Sequence, residues 1–265
     1  MAIVLRPKPT LGVRPHVNCL LYGGAGAGKT TAALSAPGGI LDLNLENKNA
    51  TYFARTRMEV DRVLELEIPE YVEGQRLLEP MLHEVGHEIT RQRSDQEPII
   101  DTVVVDPISE LHRRLLDEMS GRAASPSLPT YQAVSKTVER FCRFLCDAPV
   151  NFILVAHDRA IRDEATGEFD RLPYTGTSNP DLALKLMGMV DVVAYCGSKV
   201  GEDGKPQYIG QLFNGSGRHG KDRFGALGHY RPLNLDEWFS AIGNPLNEPD
   251  VVASNTSNEQ TQGAA

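Results

Sequence analysis

No apolar run in this chain approaches the length of a membrane span, and the N-terminus lacks the charged-then-apolar pattern of a secretory leader. A cytoplasmic protein with no membrane partner is therefore expected. The four cysteines (Cys19, Cys142, Cys146 and Cys196) form no C-x-x-C pair, and Cys142 and Cys146 stand one helical turn apart as core fillers would. That usage excludes a disulfide framework and fits a reducing compartment. Positive charge is also scarce: 27 Lys and Arg stand against 35 Asp and Glu, a net charge of −8. This excludes coating nucleic acid by bulk electrostatics. Any such contact must be local, salt-sensitive or shared across several subunits.

What is present suits one large domain: 265 residues, 41% of them hydrophobic, and no internal repeat. Residues 1–16 read as a Pro-containing arm, residues 17–243 as the folded domain, and the polar segment from Asn244 to Ala265 as a disordered tail. The runs Val17–Tyr22, Gly39–Leu45, Thr102–Val105 and Asn151–Ala156 read as strands, the β-branched ones as buried parallel strands. Gly74–Gln92 reads as a helix. So does Tyr131–Cys146, with Val134, Val138, Phe141 and Leu145 on one face. The alternation predicts an α/β fold, a mostly parallel sheet with helices on both faces. After His157 the pattern changes to a polar hairpin over Ala160–Pro173, a helix over Pro180–Met189, and strands Val190–Cys196 and Gln207–Phe213. The turn at Gly201–Lys205 joins these strands in an antiparallel C-terminal extension, and Leu235–Ile242 reads as a last amphipathic helix.

The most specific signal is the segment Gly23-Gly24-Ala25-Gly26-Ala27-Gly28-Lys29-Thr30-Thr31, which matches the phosphate-binding loop G-x-x-x-x-G-K-[ST] between a strand and a helix. The glycines let backbone N–H groups curl around a phosphate without Cβ clashes, and the following helix presents its positive end there. Lys29 is expected to reach the β- and γ-phosphates, and Thr30 to ligate Mg²⁺. Asp106, which ends the strand Val103–Val105, is the expected second magnesium group, on a strand adjacent to that of the P-loop. Pro107 follows it where many P-loop ATPases carry a catalytic Glu, so the residue that orients water must come from elsewhere.

Glu46, which ends the strand after the P-loop helix, resembles in its placement the catalytic Glu of RecA-like ATPases; Asp42 and Glu110 are the reserves, and a solvated loop carboxylate is the plain alternative. His157, at a strand end, takes by the same resemblance the place of the residue that senses the γ-phosphate and reports to the following loop. Lys221-Asp222-Arg223-Phe224-Gly225 resembles the Lys-Asn-Arg-Phe-Gly motif of bacterial RadA, with Asp in place of Asn. Taken in order over residues 17–228, these features are similar to the RecA-like P-loop NTPases that phages carry as single-strand annealing or recombination proteins. The resemblance implies hydrolysis of ATP with Mg²⁺, a homo-oligomeric ring or filament, single-stranded DNA as partner together with a single-stranded DNA-binding protein, and residence in a bacterial host's cytoplasm. It further implies DNA contacts from Met119–Thr130, carrying Arg122, and from Asp158–Asn179, carrying Arg159, Arg162 and Arg171, with Tyr174 to stack on a base. Lys221 and Arg223, borne on the glycine-rich stretch 214–223 and anchored by Phe224 and Leu227, are expected to complete a neighbouring subunit's site. A strand-end ion pair or a contact to DNA phosphate is the plain alternative for these two cations.

Other readings compete. A P-loop does not name the acceptor, so a small-molecule or nucleotide kinase is a second class. Against it, Arg159, Arg162 and Arg171 interleave with Asp158, Asp163, Glu164, Glu168 and Asp170, leaving no net basic lid. An ATP-switched assembly factor, such as a helicase loader, is a third. Asn47-Lys48-Asn49-Ala50 is not the element that reads guanine. His83-Glu84-Val85-Gly86-His87 matches the zinc-protease pattern, yet no third ligand is evident and Gly86 weakens the helix, so an exposed helix face is expected.

Overall fold

A computed structural model describes residues 16–46, 52, 62–92, 99–121, 125–162, 167, 169–201 and 204–243. The expected N-terminal arm and C-terminal tail lie outside these residues, as does Arg122.

Four strands form the parallel centre: β1 (Asn18–Gly23), β2 (Ile40–Asn44), β4 (Thr102–Asp106) and β5 (Asn151–Arg162). The short β3 (Val63–Glu65) adds to β2 in parallel, and β7 (Val192–Val200) pairs in parallel with β1. The sheet runs β10-β8-β7-β1-β5-β4-β2-β3, with β8 (Pro206–Gln211) and β10 (Tyr230–Pro232) as an antiparallel extension. Off this path, β6 (Phe169–Tyr174) pairs antiparallel with β5, and β9 (Lys221–Asp222) with β7. The sequence expectation thus holds for the parallel sheet and its extension.

Alternation within the central strands sends side chains to two cores. Leu20, Leu43, Val103, Val105, Phe152 and Leu154 meet α2 (Leu78–Gln92), α3 (Ile108–Ser120), α4 (Leu128–Asp147) and α5 (Asp181–Met189) on one face. Cys19, Leu21, Ile40, Val104, Ile153 and Val155 meet α1 (Lys29–Leu34) and α6 (Leu235–Gly243), where Trp238 and Phe239 are fully buried. Among the cysteines, Cys19, Cys142 and Cys196 are buried and all four are free, in keeping with core filling.

Some elements differ from the sequence expectation. The α2 helix starts at Leu78 rather than Gly74, because the Glu118 carboxylate on α3 accepts from the backbone N–H groups of Leu77 (3.2 Å) and Leu78 (3.0 Å) and so fixes the first turn. The α3 helix was not anticipated, although Ile108, Leu111, His112 and Leu115 recur at its buried face. It takes Met119 and Ser120 out of the expected DNA loop and ends at Gly121, which supplies a left-handed φ of 62°. Finally, β5 lies between β1 and β4, so the Asp106 strand is not adjacent to the P-loop strand as expected.

Candidate nucleotide site

β1 stops at Gly23 and the chain turns. A Cβ on Gly23 would lie 2.3 Å from the carbonyl oxygen of Cys196 on β7, so only glycine lets the loop leave the sheet here. The turn closes with Ala27 N–H donating to Gly24 O (3.3 Å), and Gly28, in a left-handed conformation, hands over to α1. Ala25, Gly26 and Thr31 are exposed at the crest, whereas Ala27 and Lys29 are buried. The Lys29 Nζ donates to the carbonyls of Gly23 (2.9 Å) and Gly24 (2.8 Å). Desolvation holds its ammonium below the ordinary lysine range, an effect opposed by neighbours that include Asp106, Asp158 and Glu46.

Although β5 intervenes, Thr30 still reaches Asp106: its Oγ1 donates to Asp106 Oδ2 over 2.6 Å. Burial pushes the Asp106 carboxyl up, against the hydrogen bond from Thr30 and the charge of Lys29. A hydroxyl and a buried carboxylate in contact are hard oxygen donors of the kind that suits Mg²⁺, and a cation there would offset the desolvation of Asp106. These two residues would hold it.

β2 pairs with β4 on the side away from β5, in register Asn44 with Asp106. Glu46, two residues beyond Asn44, comes within reach of His157 in the middle of β5. His157 Nε2 stands 3.3 Å from Glu46 Oε2, and both side chains remain accessible to solvent. The reserves are placed differently. Asp42 is 1% exposed inside β2, and Glu110 lies on α3, paired with Arg113 at 2.6 Å.

β5 continues past His157 as one arm of a hairpin with β6. The pleat divides its basic residues. Arg159, opposite Leu172, donates to Thr177 O at 3.3 Å. Arg162, opposite Phe169, shares the other face with Arg171, which pairs with Asp158. Phe169 is 61% exposed there. Tyr174 instead falls opposite His157 and is half-buried. Phe169 carries no signal of its own in the sequence, because its exposure depends on the hairpin register.

Lys221 and Arg223 lie away from their own chain's loop, beside the start of β7. The Lys221 Nζ donates to the carbonyls of Met187 and Gly188, and Arg223 to Gly188 O (2.8 Å) and to Asp191 Oδ1 (3.2 Å), so both cations close the C-terminal end of α5. Asp222, the departure from the RadA-like motif, accepts from the N–H groups of Phe224 (2.9 Å) and Leu227 (2.8 Å) and shapes the turn. Leu227 is buried as expected, but Phe224 is 37% exposed and anchors nothing in the core. The glycines before this motif do not make a loose arm. A Cβ on Gly217 would meet Phe169 O at 2.2 Å, and one on Gly220 would meet Phe213 N at 2.3 Å, so they permit close backbone packing.

His83 and His87 are exposed on α2 above a groove of about 490 Å³ shared with Phe141 and Phe144 of α4. Among the described residues no group of three or more His, Cys, Asp or Glu could hold a metal. No helix among them is long and apolar enough to cross a membrane.

A P-loop closing on a strand-end Asp across a parallel sheet defines a RecA-like P-loop NTPase. Residues 16–224 match the AAA domain family, and the chain belongs to it. No curated protein shows significant sequence similarity to the chain. Its fold is similar to that of the flagellar accessory protein FlaH from Methanocaldococcus jannaschii, at 9% identity and TM-score 0.35 over 78% of this chain and 84% of that one. It is also similar to a type III secretion system ATPase of pathogenic bacteria, at 12% identity and TM-score 0.43 over 70% of this chain and 55% of that one. The third similar structure is the Legionella pneumophila ATPase DotB, at 10% identity and TM-score 0.33 over 78% of this chain and 48% of that one. The chain spans about half the length of the last two.

Proposed function

We propose that the protein is a magnesium-dependent, RecA-like ATPase that acts on single-stranded DNA in annealing or recombination, of the phage-encoded type and akin to RadA. On this reading it works as a homo-oligomer in the bacterial cytoplasm, alongside a single-stranded DNA-binding protein. The observation that carries it is the path of β5. The strand runs without interruption from His157, beside Glu46, into a hairpin whose opposite face bears Arg162, exposed Phe169 and Arg171. On this reading a change at the γ-phosphate is carried along the strand to a surface with the chemistry of a single-strand binder, cations for the backbone beside an aromatic for the bases.

The chain's own residues divide the work. Lys29 exchanges its loop carbonyls for phosphate oxygens, and Glu46 orients the attacking water and accepts its proton. Thr30 and Asp106 would hold a magnesium ion, which would supply charge neutralisation at the phosphates. Lys221 and Arg223 serve as cations delivered to a neighbouring subunit, stabilising charge that spreads over the γ-phosphate in the transition state.

Phosphate release measured with and without single-stranded DNA tests the proposal. Stimulation by DNA supports it. Turnover that depends on a small-molecule acceptor would replace it with a kinase, and negligible turnover with tight ATP binding would replace it with a switch.

A further inference from the structure

β1 ends at Gly23, but both strands beside it run on. β5 continues to Arg162, and β7 continues to Val200 and returns as β8, so the loop lies between two hairpins. In the second hairpin Tyr208 pairs with Ser198, two residues beyond the Cys196–Gly210 pair that lies level with the loop's first glycine. The Tyr208 ring rests on the loop itself. A Cβ at Gly28 would be 3.0 Å from its Cδ1 and 3.1 Å from its Cγ. The residue is nevertheless 40% exposed.

We propose that Tyr208 is the stacking surface for the base of the bound nucleoside triphosphate, an inference that rests on the ATP-binding reading of the loop. Asp106, Glu46 and His157, the groups suited to the γ-phosphate end, come from β4, β2 and β5, all on one side of β1. A triphosphate held by the loop with its terminal phosphate toward these groups extends its nucleoside toward the opposite side, that of β7 and β8. Tyr208 is a partly exposed aromatic that touches the loop there. Tyr230, further along that edge, lies edge-on to Phe213 at 5.2 Å and opposite Gln211, level with the buried Tyr22. A neutral ring stacks on any base and best on the larger ones, so this surface selects purine over pyrimidine triphosphates without reading the base edge.

Calorimetric titration of the full chain with ATP, CTP and inorganic tripolyphosphate, each with Mg²⁺, tests this. Tyr208→Ala should weaken ATP about tenfold and leave tripolyphosphate within about twofold, and Tyr208→Phe should restore ATP affinity. The wild-type preference for ATP over CTP should shrink in Tyr208→Ala. In Tyr208→Trp the new indole should be quenched by ATP and not by tripolyphosphate, against the constant signal of fully buried Trp238. Equal weakening of ATP and tripolyphosphate would reduce Tyr208 to a brace for Gly28 and overturn the proposal, as would an unquenched indole at position 208. Lys29→Ala is the control that separates the two levels. If wild type and Lys29→Ala bind all three ligands alike, the P-loop reading itself fails. If only Lys29→Ala loses tripolyphosphate, that reading stands and the Tyr208 variants decide.

Discussion

His157 and Glu46 meet at 3.3 Å although 111 positions separate them in the chain. The sheet order explains the meeting: β2 and β5 flank β4 on its two sides, so Glu46, just past the end of β2, and His157, within β5 and level with Gly23, come together across β4. Under the proposed function the contact couples Glu46 to His157, which β5 carries on into the hairpin.

Glu46→Gln keeps the size and the hydrogen-bonding reach of the side chain but removes its basicity. ATP affinity should stay within about threefold, while hydrolysis falls by two or more orders of magnitude, about 3 kcal/mol or more in the barrier. Single-turnover phosphate release beside equilibrium ATP binding checks this. Wild-type turnover in the purified variant would sink the assignment.

The hairpin prediction concerns Phe169, Arg162 and Arg171. Phe169→Ala should weaken single-stranded DNA binding by about 1–3 kcal/mol, as loss of one stacking platform does. Neutralising Arg162 and Arg171 together should lower both the affinity and the slope of its logarithm against the logarithm of salt concentration. Arg159→Ala, on the opposite face and bonded to Thr177 O, should do less than either. Fluorescence anisotropy with a labelled oligonucleotide over a salt series gives all three. If the double neutralisation and Phe169→Ala both leave affinity unchanged, this face is not the DNA site.

Much of this site is legible in the sequence because its signals are local. The loop Gly23–Thr31 carries its own geometry in its glycines, and the β-branched run before Asp106 marks a buried strand wherever it lies in the sheet. Sheet order is not local. Nothing in the run Asn151–Ala156 says that it inserts between the strands of Gly23 and Asp106. The α3 helix was legible in principle, since Ile108, Leu111 and Leu115 show helical spacing. Hairpin register decides that Phe169 faces outward beside Arg162 while Tyr174 lies opposite His157, and register comes from pairing across a turn rather than from either strand alone. The glycines of 214–220 mislead for a related reason: the same residue type serves a loose arm or a close backbone approach, and only the neighbour at Phe169 or Phe213 distinguishes them.

His112 supplies a pH dependence of stability. It is fully buried on α3, bonded through Nε2 to Ser135 Oγ at 3.1 Å, and burial lowers its pKa from 6.5 to about 4. Between those values the unfolded chain binds the proton more readily than the folded one, so the fold loses stability as pH falls below 6.5 and stops losing it below about 4. The loss from pH 7 to pH 5 attributable to this residue is about 2 kcal/mol. Urea denaturation at the two pH values, for wild type and His112→Gln, isolates it. The variant should be less stable at pH 7 and should lose about 2 kcal/mol less on acidification. Equal acid losses in the two proteins would show that His112 is not the titrating group.

Lys221 and Arg223 have two separable roles to be measured. Within the chain they close α5 through Met187, Gly188 and Asp191, so Lys221→Ala or Arg223→Ala should each cost about 1 kcal/mol of stability. That cost is intrinsic to each chain and does not depend on protein concentration. The proposed role in a neighbour's site is different. Each variant should keep its ATP affinity, since its own Lys29, Thr30 and Asp106 are intact, and should lose hydrolysis that depends on oligomer formation. Mixing either variant with Lys29→Ala should restore activity, because some interfaces then pair an intact loop with an intact cation. A purely structural role gives no rescue, since each subunit would carry its own defect wherever it sits. Activity that stays flat across the full range of mixing ratios, with mixed oligomers verified by native mass spectrometry, would leave Lys221 and Arg223 as caps of α5 and nothing more.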